Sequence, residues 1–186
     1  MSKNEQRAAA TAARRALKTG ERKAFSEALC RTLETMPEVR EANVILSYAA
    51  EADEIALTAL HGWAADHGKT VAFPISYKGG VMEARVPRDA CAWECGFYGI
   101  WSPVAERSAL IDPADIDLVI VPCVAFDANL NRLGHGGGYY DRYLPRCSKA
   151  KRICVAFEAQ KLPEVAMDAH DASVDAVVTE AGIYRK

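Results

Sequence analysis

"IDLVIVPCVAFDANLNRLGHGGGYYDRYL", residues 116–144, decides how this chain is read. It opens on Ile116–Pro122, the most strand-like run in the sequence. "DANLN" follows as a turn, because Asp127, Asn129 and Asn131 tolerate turn backbones. Four of the twelve glycines then fall at 134, 136, 137 and 138, and residues 138–147 suit a helix. Strand, glycine loop and helix in that order cradle phosphate. Glycine lets backbone N–H groups approach an anion, and a helix N-terminus adds partial positive charge. The loop is not a Walker A motif, since no lysine stands in it. Nor is it G-x-G-x-x-G: counted from Gly134, the sixth position is Tyr139. On the glycines alone, a turn that merely lets helix and sheet pack is an equal reading. Arg132 and Asp141 move the balance. Arginine offers a fork of donors for phosphate oxygens. A carboxylate one turn into the helix can hold Mg²⁺, which takes few protein ligands and completes its shell with water and phosphate.

Outward from this block, helical and strand-like runs alternate. Residues 3–18 are rich in Ala, Leu and Arg and read as a helix. Thr19 is placed to cap a second helix reaching about Met36. "NVILSY" (43–48) reads as a buried strand, and residues 53–68 return to helical spacing and stop at Gly68. "KTVAFP" (69–74) is a strand ended by Pro74; "YKGG" turns; "VMEARV" (81–86) alternates like a half-buried strand. Residues 91–116 read as loop-rich, with Gly96, Gly99, Pro103 and Pro113. "RICVAF" (152–157) and "DAVVTE" (175–180) are the last two strands. The pattern predicts an α/β fold of a single domain over 1–186: a layered, Rossmann-like, largely parallel sheet flanked by helices, with a small two-strand excursion at 69–86. Ligands in such sheets gather beyond the carboxyl ends of the strands.

Composition narrows the function classes. The chain has 186 residues, 50% apolar and 26% charged, with a formal net charge of −2. That balance argues against bulk binding to nucleic acid or to an anionic membrane. No run of eighteen apolar residues predicts a membrane span. The N-terminal segment lacks the apolar block of a signal peptide, so an ordinary first helix and a cytoplasmic protein with reduced thiols are expected. Six cysteines are scattered; Cys91 and Cys95 are spaced C-x3-C, but no second pair or nearby histidine completes a zinc site. Cys123 and Cys154 read as small core residues. A monomer is expected.

The block from Val121 to Leu144, "VPCVAFDANLNRLGHGGGYYDRYL", closely resembles the signature of the 5-formyltetrahydrofolate cyclo-ligase (methenyltetrahydrofolate synthetase) family. "LSYAAEADEIAL" and "VDAVVTE" resemble further family segments more loosely. Where some members carry lysine or arginine inside the loop, this chain has His135 and Gly137. The resemblance implies the cyclo-ligase fold, an architecture shared with sugar-phosphate isomerases and CoA transferases. It also implies ATP- and Mg²⁺-dependent closure of 5-formyltetrahydrofolate, polyglutamylated forms included in the substrate class, to 5,10-methenyltetrahydrofolate.

The resemblance also implies roles for single residues. Lys3 and Arg7, four apart on one helical stripe, align with cations for the ATP phosphates, with Arg14 and Arg15 in reserve; without the resemblance they would read as a solvated basic face. Arg132, Gly134, His135, Gly136, Gly137, Gly138 and Tyr140 complete the ATP site. Glu51 falls at the pterin-binding glutamate, with Glu54 as the competing assignment. Met82, Tyr98 and Tyr139 align with substrate contacts, and Phe97 and Trp101 could complete an aromatic slot. Asp141 and Asp171 are the expected Mg²⁺ ligands. Arg142 either offsets phosphate charge beside Arg132 or points outward into solvent, and it is left out of the site. Two other classes compete: another enzyme on a similar α/β scaffold, which would not need the RLGxGxGYYDR block, and a nucleotide- or folate-binding module without catalysis.

Overall fold

The computed structural model describes residues 1–96, 99–169 and 171–185. Two long helices, α1 (Lys3–Ala16) and α2 (Thr19–Thr35), and the short α3 (Pro37–Glu41) lead into strand β1 (Val44–Leu46). Helix α4 (Thr58–Asp66) connects β1 to β2 (Thr70–Ser76). Strand β3 (Met82–Pro87), the ribbon β4 (Trp93–Cys95) and β5 (Trp101–Pro103), and β6 (Ser108–Ile111) come next. Then follow β7 (Leu118–Pro122), the small hairpin β8 (Ala125–Phe126) and β9 (Arg132–Leu133), and helix α5 (Tyr139–Tyr143). Strands β10 (Lys151–Val155), β11 (Ala176–Thr179) and β12 (Gly182–Arg185) close the chain.

Eight strands form one sheet in the order β12-β11-β10-β7-β1-β2-β3-β6. The five central strands are parallel; β12 and β3 run against them, and β6 pairs antiparallel with β3 at the edge. Strand alternation sorts the core into two layers. Ile45, Leu118, Ile120, Ile153, Val155, Ala176 and Val178 pack with α2 and α4 on one face. Leu46, Val119, Val121, Cys154 and Val177 point the other way, against Tyr143, Leu144 and Cys147. A third cluster, Ala10 with Val124, Ala125, Leu133 and Val165, seats α1 on the β8–β9 hairpin.

Several elements depart from the sequence reading for identifiable reasons. The segment 69–86 is no excursion: β2 pairs in parallel with β1 and extends the main sheet. Nor does Pro74 end β2, which runs on to Ser76. The amide side of residues 72 and 74 faces β1, and β1 stops after Leu46, so the proline removes no ladder donor. Residues 91–116 contain three short strands rather than loop alone. Thr19 is the first residue of α2 and does not cap it; the Glu21 carboxylate accepts from the Lys18 N–H instead. The helix expected over 138–147 is a single turn, Tyr139–Tyr143, followed by a 3₁₀ turn through Pro145, which has no N–H to continue the ladder. In the "DANLN" turn the left-handed backbone falls on Leu130, at φ 67°. Asp127 pins that turn, accepting from the Asn129 and Asn131 N–H groups, while the Leu130 side chain is fully buried.

The topology fixes the site. After β1 the chain moves to one side of the sheet through β2; after β7 it moves to the other through β10 and β11. The order therefore reverses between β1 and β7, and the loops leaving their carboxyl ends open a crevice there.

Candidate functional site

A cleft of about 650 Å³ occupies this switch point. Its walls are the loop after β1 (Tyr48, Ala49, Glu51, Glu54), the glycine loop after β9, the N-terminal end of α1, and the ends of β2, β3 and β5. Of the residues singled out by sequence, Lys3, Arg7, Glu51, Met82, Trp101, Arg132, Gly134 through Gly138, Tyr139, Tyr140, Asp141 and Asp171 all line it. Phe97 and Tyr98 lie outside the described residues. Arg14 and Arg15 are elsewhere: both pair with Asp53, at 3.1 and 3.0 Å, and Arg14 is buried behind the β1 loop.

The glycine loop earns its conformation residue by residue. Gly136 and Gly138 sit at φ 99° and 64°, where a side chain is strained. A Cβ on Gly136 would lie 3.4 Å from the Arg7 guanidinium, and one on Gly137 only 2.8 Å from the Tyr139 ring. Arg7 reaches across from α1 and donates through Nε to the Gly134 carbonyl at 2.8 Å. With a helix of one turn behind it, the loop offers an anion its own N–H groups and neighbouring cations more than a helix dipole.

The charged residues are arranged in two pairs. Arg132 is buried and donates to Asp141 Oδ1 at 2.6 Å; the same oxygen accepts from the Ala172 N–H at 3.2 Å. Both of those contacts fall on Oδ1, which leaves Oδ2 for a cation. Arg132 Nε and the Tyr140 hydroxyl are buried without hydrogen-bond partners. Buried polar atoms are rarely left so, and both belong to residues of the cleft wall. Burial, with the Glu54 charge adding to it, pushes the Tyr140 hydroxyl up, so it stays protonated and can donate.

Lys3 forms the second pair. Its Nζ donates to Asp168 at 2.7 Å and to Asp171. Desolvation works against its charge, but the two aspartates outweigh it and hold the Lys3 pKa above its ordinary value. Asp168, absent from the sequence reading, joins the site this way; nothing in its local pattern marks it. Gln6 fixes the register of α1 against this segment, donating to the Glu164 carbonyl and accepting from the Ala166 N–H.

The two glutamates of the β1 loop differ. The Glu54 carboxylate is mostly buried, accepts from the Glu51 N–H at 3.0 Å, and lies 3.6 Å from His135 and 3.8 Å from Arg14. Glu51 is exposed at the cleft. Opposite the charged wall stand Met82, which is buried, and Trp101, 60% exposed. Among the described residues no group of three His, Cys, Asp or Glu side chains could hold a metal by itself. Any cation here must draw most of its ligands from a bound anion and water. All six cysteines are free, and Cys123 and Cys154 are buried in the core. No helix among the described residues is long and apolar enough to cross a membrane.

The chain is similar to known proteins in sequence and in fold. The "Probable 5-formyltetrahydrofolate cyclo-ligase" of Schizosaccharomyces pombe is 33% identical over 175 residues, covering 86% of each chain. The mouse 5-formyltetrahydrofolate cyclo-ligase is 38% identical over 79 residues, 40% of this chain and 39% of that one. Among solved structures, the Aquifex aeolicus 5,10-methenyltetrahydrofolate synthetase superposes with a TM-score of 0.86 at 32% identity, covering all of this chain and 93% of that one. The 5,10-methenyltetrahydrofolate synthetase of Mycoplasma pneumoniae shares the fold, with a TM-score of 0.80 at 20% identity over 97% and 99% of the two chains. The profile of the 5-formyltetrahydrofolate cyclo-ligase family spans residues 1–180, and the chain belongs to that family.

Proposed function

We propose that this chain is an ATP- and Mg²⁺-dependent 5-formyltetrahydrofolate cyclo-ligase, with residues 1–186 acting as one catalytic domain. One observation supports the reading above the others: a glycine loop flanked by Lys3, Arg7 and Arg132 shares a single cleft with Glu51, Met82 and Trp101. A triphosphate and a pterin complement those two linings in charge and shape.

The chemical problem is a poor leaving group. N10 of the folate must replace the formyl oxygen on carbon, and that oxygen would otherwise leave as hydroxide. Transfer of the γ-phosphoryl group to the formyl oxygen forms a P–O bond and releases ADP. N10 then attacks the formyl carbon and loses its proton. The C–O bond breaks, and phosphate departs. The protein contributes positioning and charge stabilisation, as in other phosphoryl transfers.

The loop N–H groups from Gly134 to Gly138, Arg7 and Lys3 receive the phosphates. The unpartnered Arg132 Nε and Tyr140 hydroxyl are two further donors at the same wall. Asp141 and Asp171 would hold Mg²⁺, which neutralises phosphate charge when bound. Arg132 fixes the orientation of Asp141 through the 2.6 Å bond. Lys3, clasped by Asp168 and Asp171, would be freed toward phosphate as Asp171 took up the cation. His135 is a loop contact secondary to the backbone. Glu51 accepts the pterin N–H donors, and Glu54, already engaged by the Glu51 N–H, shapes the loop that presents it. Met82, Tyr98 and Tyr139 contact the folate.

The test is the near-ultraviolet band of the methenyl product, followed with 5-formyltetrahydrofolate, Mg²⁺ and ATP. The band should grow only with ATP. Asp141→Ala should reduce turnover about a thousandfold, as loss of a charge-stabilising group does. Absence of the band from a protein that still binds MgATP would move the assignment to a binding module.

A further inference from the structure

The side chain of Arg142 is read from sequence as either a phosphate contact or solvent-facing. In the structure it is exposed at the cleft rim, yet tied to two segments. It folds back toward the N-terminal end of α5, as helical side chains do. Its guanidinium donates to the Gly137 carbonyl in the glycine loop and to the Gly80 carbonyl, at 3.2 Å, in the turn between β2 and β3. The Gly137 acceptor belongs to the cleft lining, and the Gly80 acceptor lies in the turn that joins two other lining residues, Ser76 and Met82. The neighbouring Tyr139 makes the same crossing, its hydroxyl donating to the Tyr77 carbonyl at 2.9 Å. The Arg142 guanidinium also lies 5.9 Å over the Tyr139 ring.

Two glycines make room for this crossing. A Cβ on Gly80 would fall 1.7 Å from an Arg142 nitrogen, and one on Gly138 would fall 2.9 Å from another. Gly79, with nearly the same φ as Gly80, has nothing within 4 Å of its missing Cβ. The turn thus contains two glycines of equal backbone strain, of which only one is occupied by the arginine.

We propose that Arg142 is a positioning residue that staples the glycine loop to the β2–β3 turn and so sets the distance between the nucleotide wall and the folate wall. Guanidinium suits this task because its fixed fork reaches two carbonyls at once, which a lysine ammonium on a flexible stem does not hold in the same way. The turn bears on chemistry because Ser76 and Met82, on either side of it, line the cleft. The reacting oxygen and the γ-phosphorus approach from the two stapled walls, and a misplacement near 1 Å costs about a hundredfold in rate.

The proposal rests on the cyclo-ligase reading for its turnover arm only. The experiment compares Arg142→Ala, Arg142→Lys, Gly80→Ala, Gly79→Ala and the Arg142→Ala/Gly80→Ala double variant. Hydrogen exchange of the amides in 77–81 is read without any ligand; kcat and KM are read with MgATP and 5-formyltetrahydrofolate. Exchange should rise in both Arg142 variants and in Gly80→Ala, but not in Gly79→Ala. Arg142→Ala and Gly80→Ala should each lower kcat at least about tenfold, Arg142→Lys less, and Gly79→Ala less than about threefold. The double variant should be no worse than the poorer single one, since both remove the same staple. Unchanged exchange in Arg142→Ala, equal damage from Gly79→Ala and Gly80→Ala, or additive losses in the double variant would each overturn the proposal. A wild-type protein without turnover would sink the cyclo-ligase reading and leave the exchange result to judge the staple.

Discussion

The glycine-loop wall of the cleft is held by charge, whereas the wall facing it is held by apolar contact. On the first, Arg132 grips Asp141, Arg7 grips the Gly134 carbonyl, and Lys3 joins Asp168 to Asp171. On the second, Met82 is buried, and Ile100 and Trp101 are exposed at the rim. The contrast follows from what each wall must do. Stabilising a shifting phosphate charge requires donors fixed before the reaction begins, because reorienting them would cost what they contribute. Receiving a flat ring requires area and shape, which side chains can supply while adjusting. Damage to the charged wall should therefore fall on rate, and damage to the apolar wall on affinity.

The largest effect that separates the walls is expected at Arg132. Arg132→Ala removes the partner that orients Asp141 and leaves that carboxylate with only the Ala172 N–H on Oδ1. Turnover should fall about a hundredfold with a smaller change in the KM for folate. Stability should drop by about 1–3 kcal/mol, less than for a fully buried pair, because Asp141 is 21% exposed. Steady-state kinetics and urea denaturation of the same sample check both. A loss confined to KM would erase the distinction between the walls.

A smaller effect, on the other parameter, is expected at Trp101. The ring is 60% exposed, so Trp101→Ala removes little buried area and should leave stability within about 0.5 kcal/mol. Its contribution is ring contact with substrate, about 1 kcal/mol, or roughly five- to tenfold in the KM for 5-formyltetrahydrofolate. kcat and the KM for ATP should hold. A fall in kcat equal to that of Arg132→Ala would show that the apolar wall positions the reacting atoms as strictly as the loop does.

The two walls also differed in how far they could be read from sequence. The charged wall is almost contiguous: Arg132 to Asp141 lie within ten residues, and their glycines, arginine and aspartate carry their chemistry in their types. The parallel sheet was equally plain, since buried strands such as Leu118–Pro122 are uninterrupted apolar runs. The apolar wall is assembled from β2, β3 and β5, and nothing local distinguishes Trp101 from a core tryptophan. Asp168 and the crossing of Arg142 depend on segments brought together from 165 and 62 residues away, which no local period encodes. Pro74 misled for a related reason: whether a proline breaks a strand depends on whether a neighbour needs its amide, and that neighbour, β1, lies far back in the chain.

Behind the apolar wall lies a group that should affect neither parameter. His61 donates or accepts at 2.7 Å with Ser47 Oγ and packs edge-on to Phe73 at 5.0 Å. It lines a second cavity, of about 760 Å³, which shares Glu51, Glu54 and Trp101 with the cleft. Burial pushes its pKa down from 6.5 to about 4. The folded protein therefore refuses a proton that the unfolded chain accepts. Stability from this source is complete above about pH 6.5 and is lost as pH falls toward about 4, by ~3 kcal/mol at most. The depressed carboxylates act in a lower window. At Asp53 burial pushes upward but Arg15 and Arg14 outweigh it, and at Glu38 Arg185 does the same. Their contributions persist above the ordinary carboxylate range and vanish only as pH falls through their lowered values. His61→Gln should thus turn over normally at pH 7.5 and show a shallower loss of unfolding free energy between pH 6.5 and 4.5. A slope unchanged from the parent protein would mean that His61 takes up its proton in the fold as readily as in the unfolded chain, and that the apolar wall admits more water than its packing indicates.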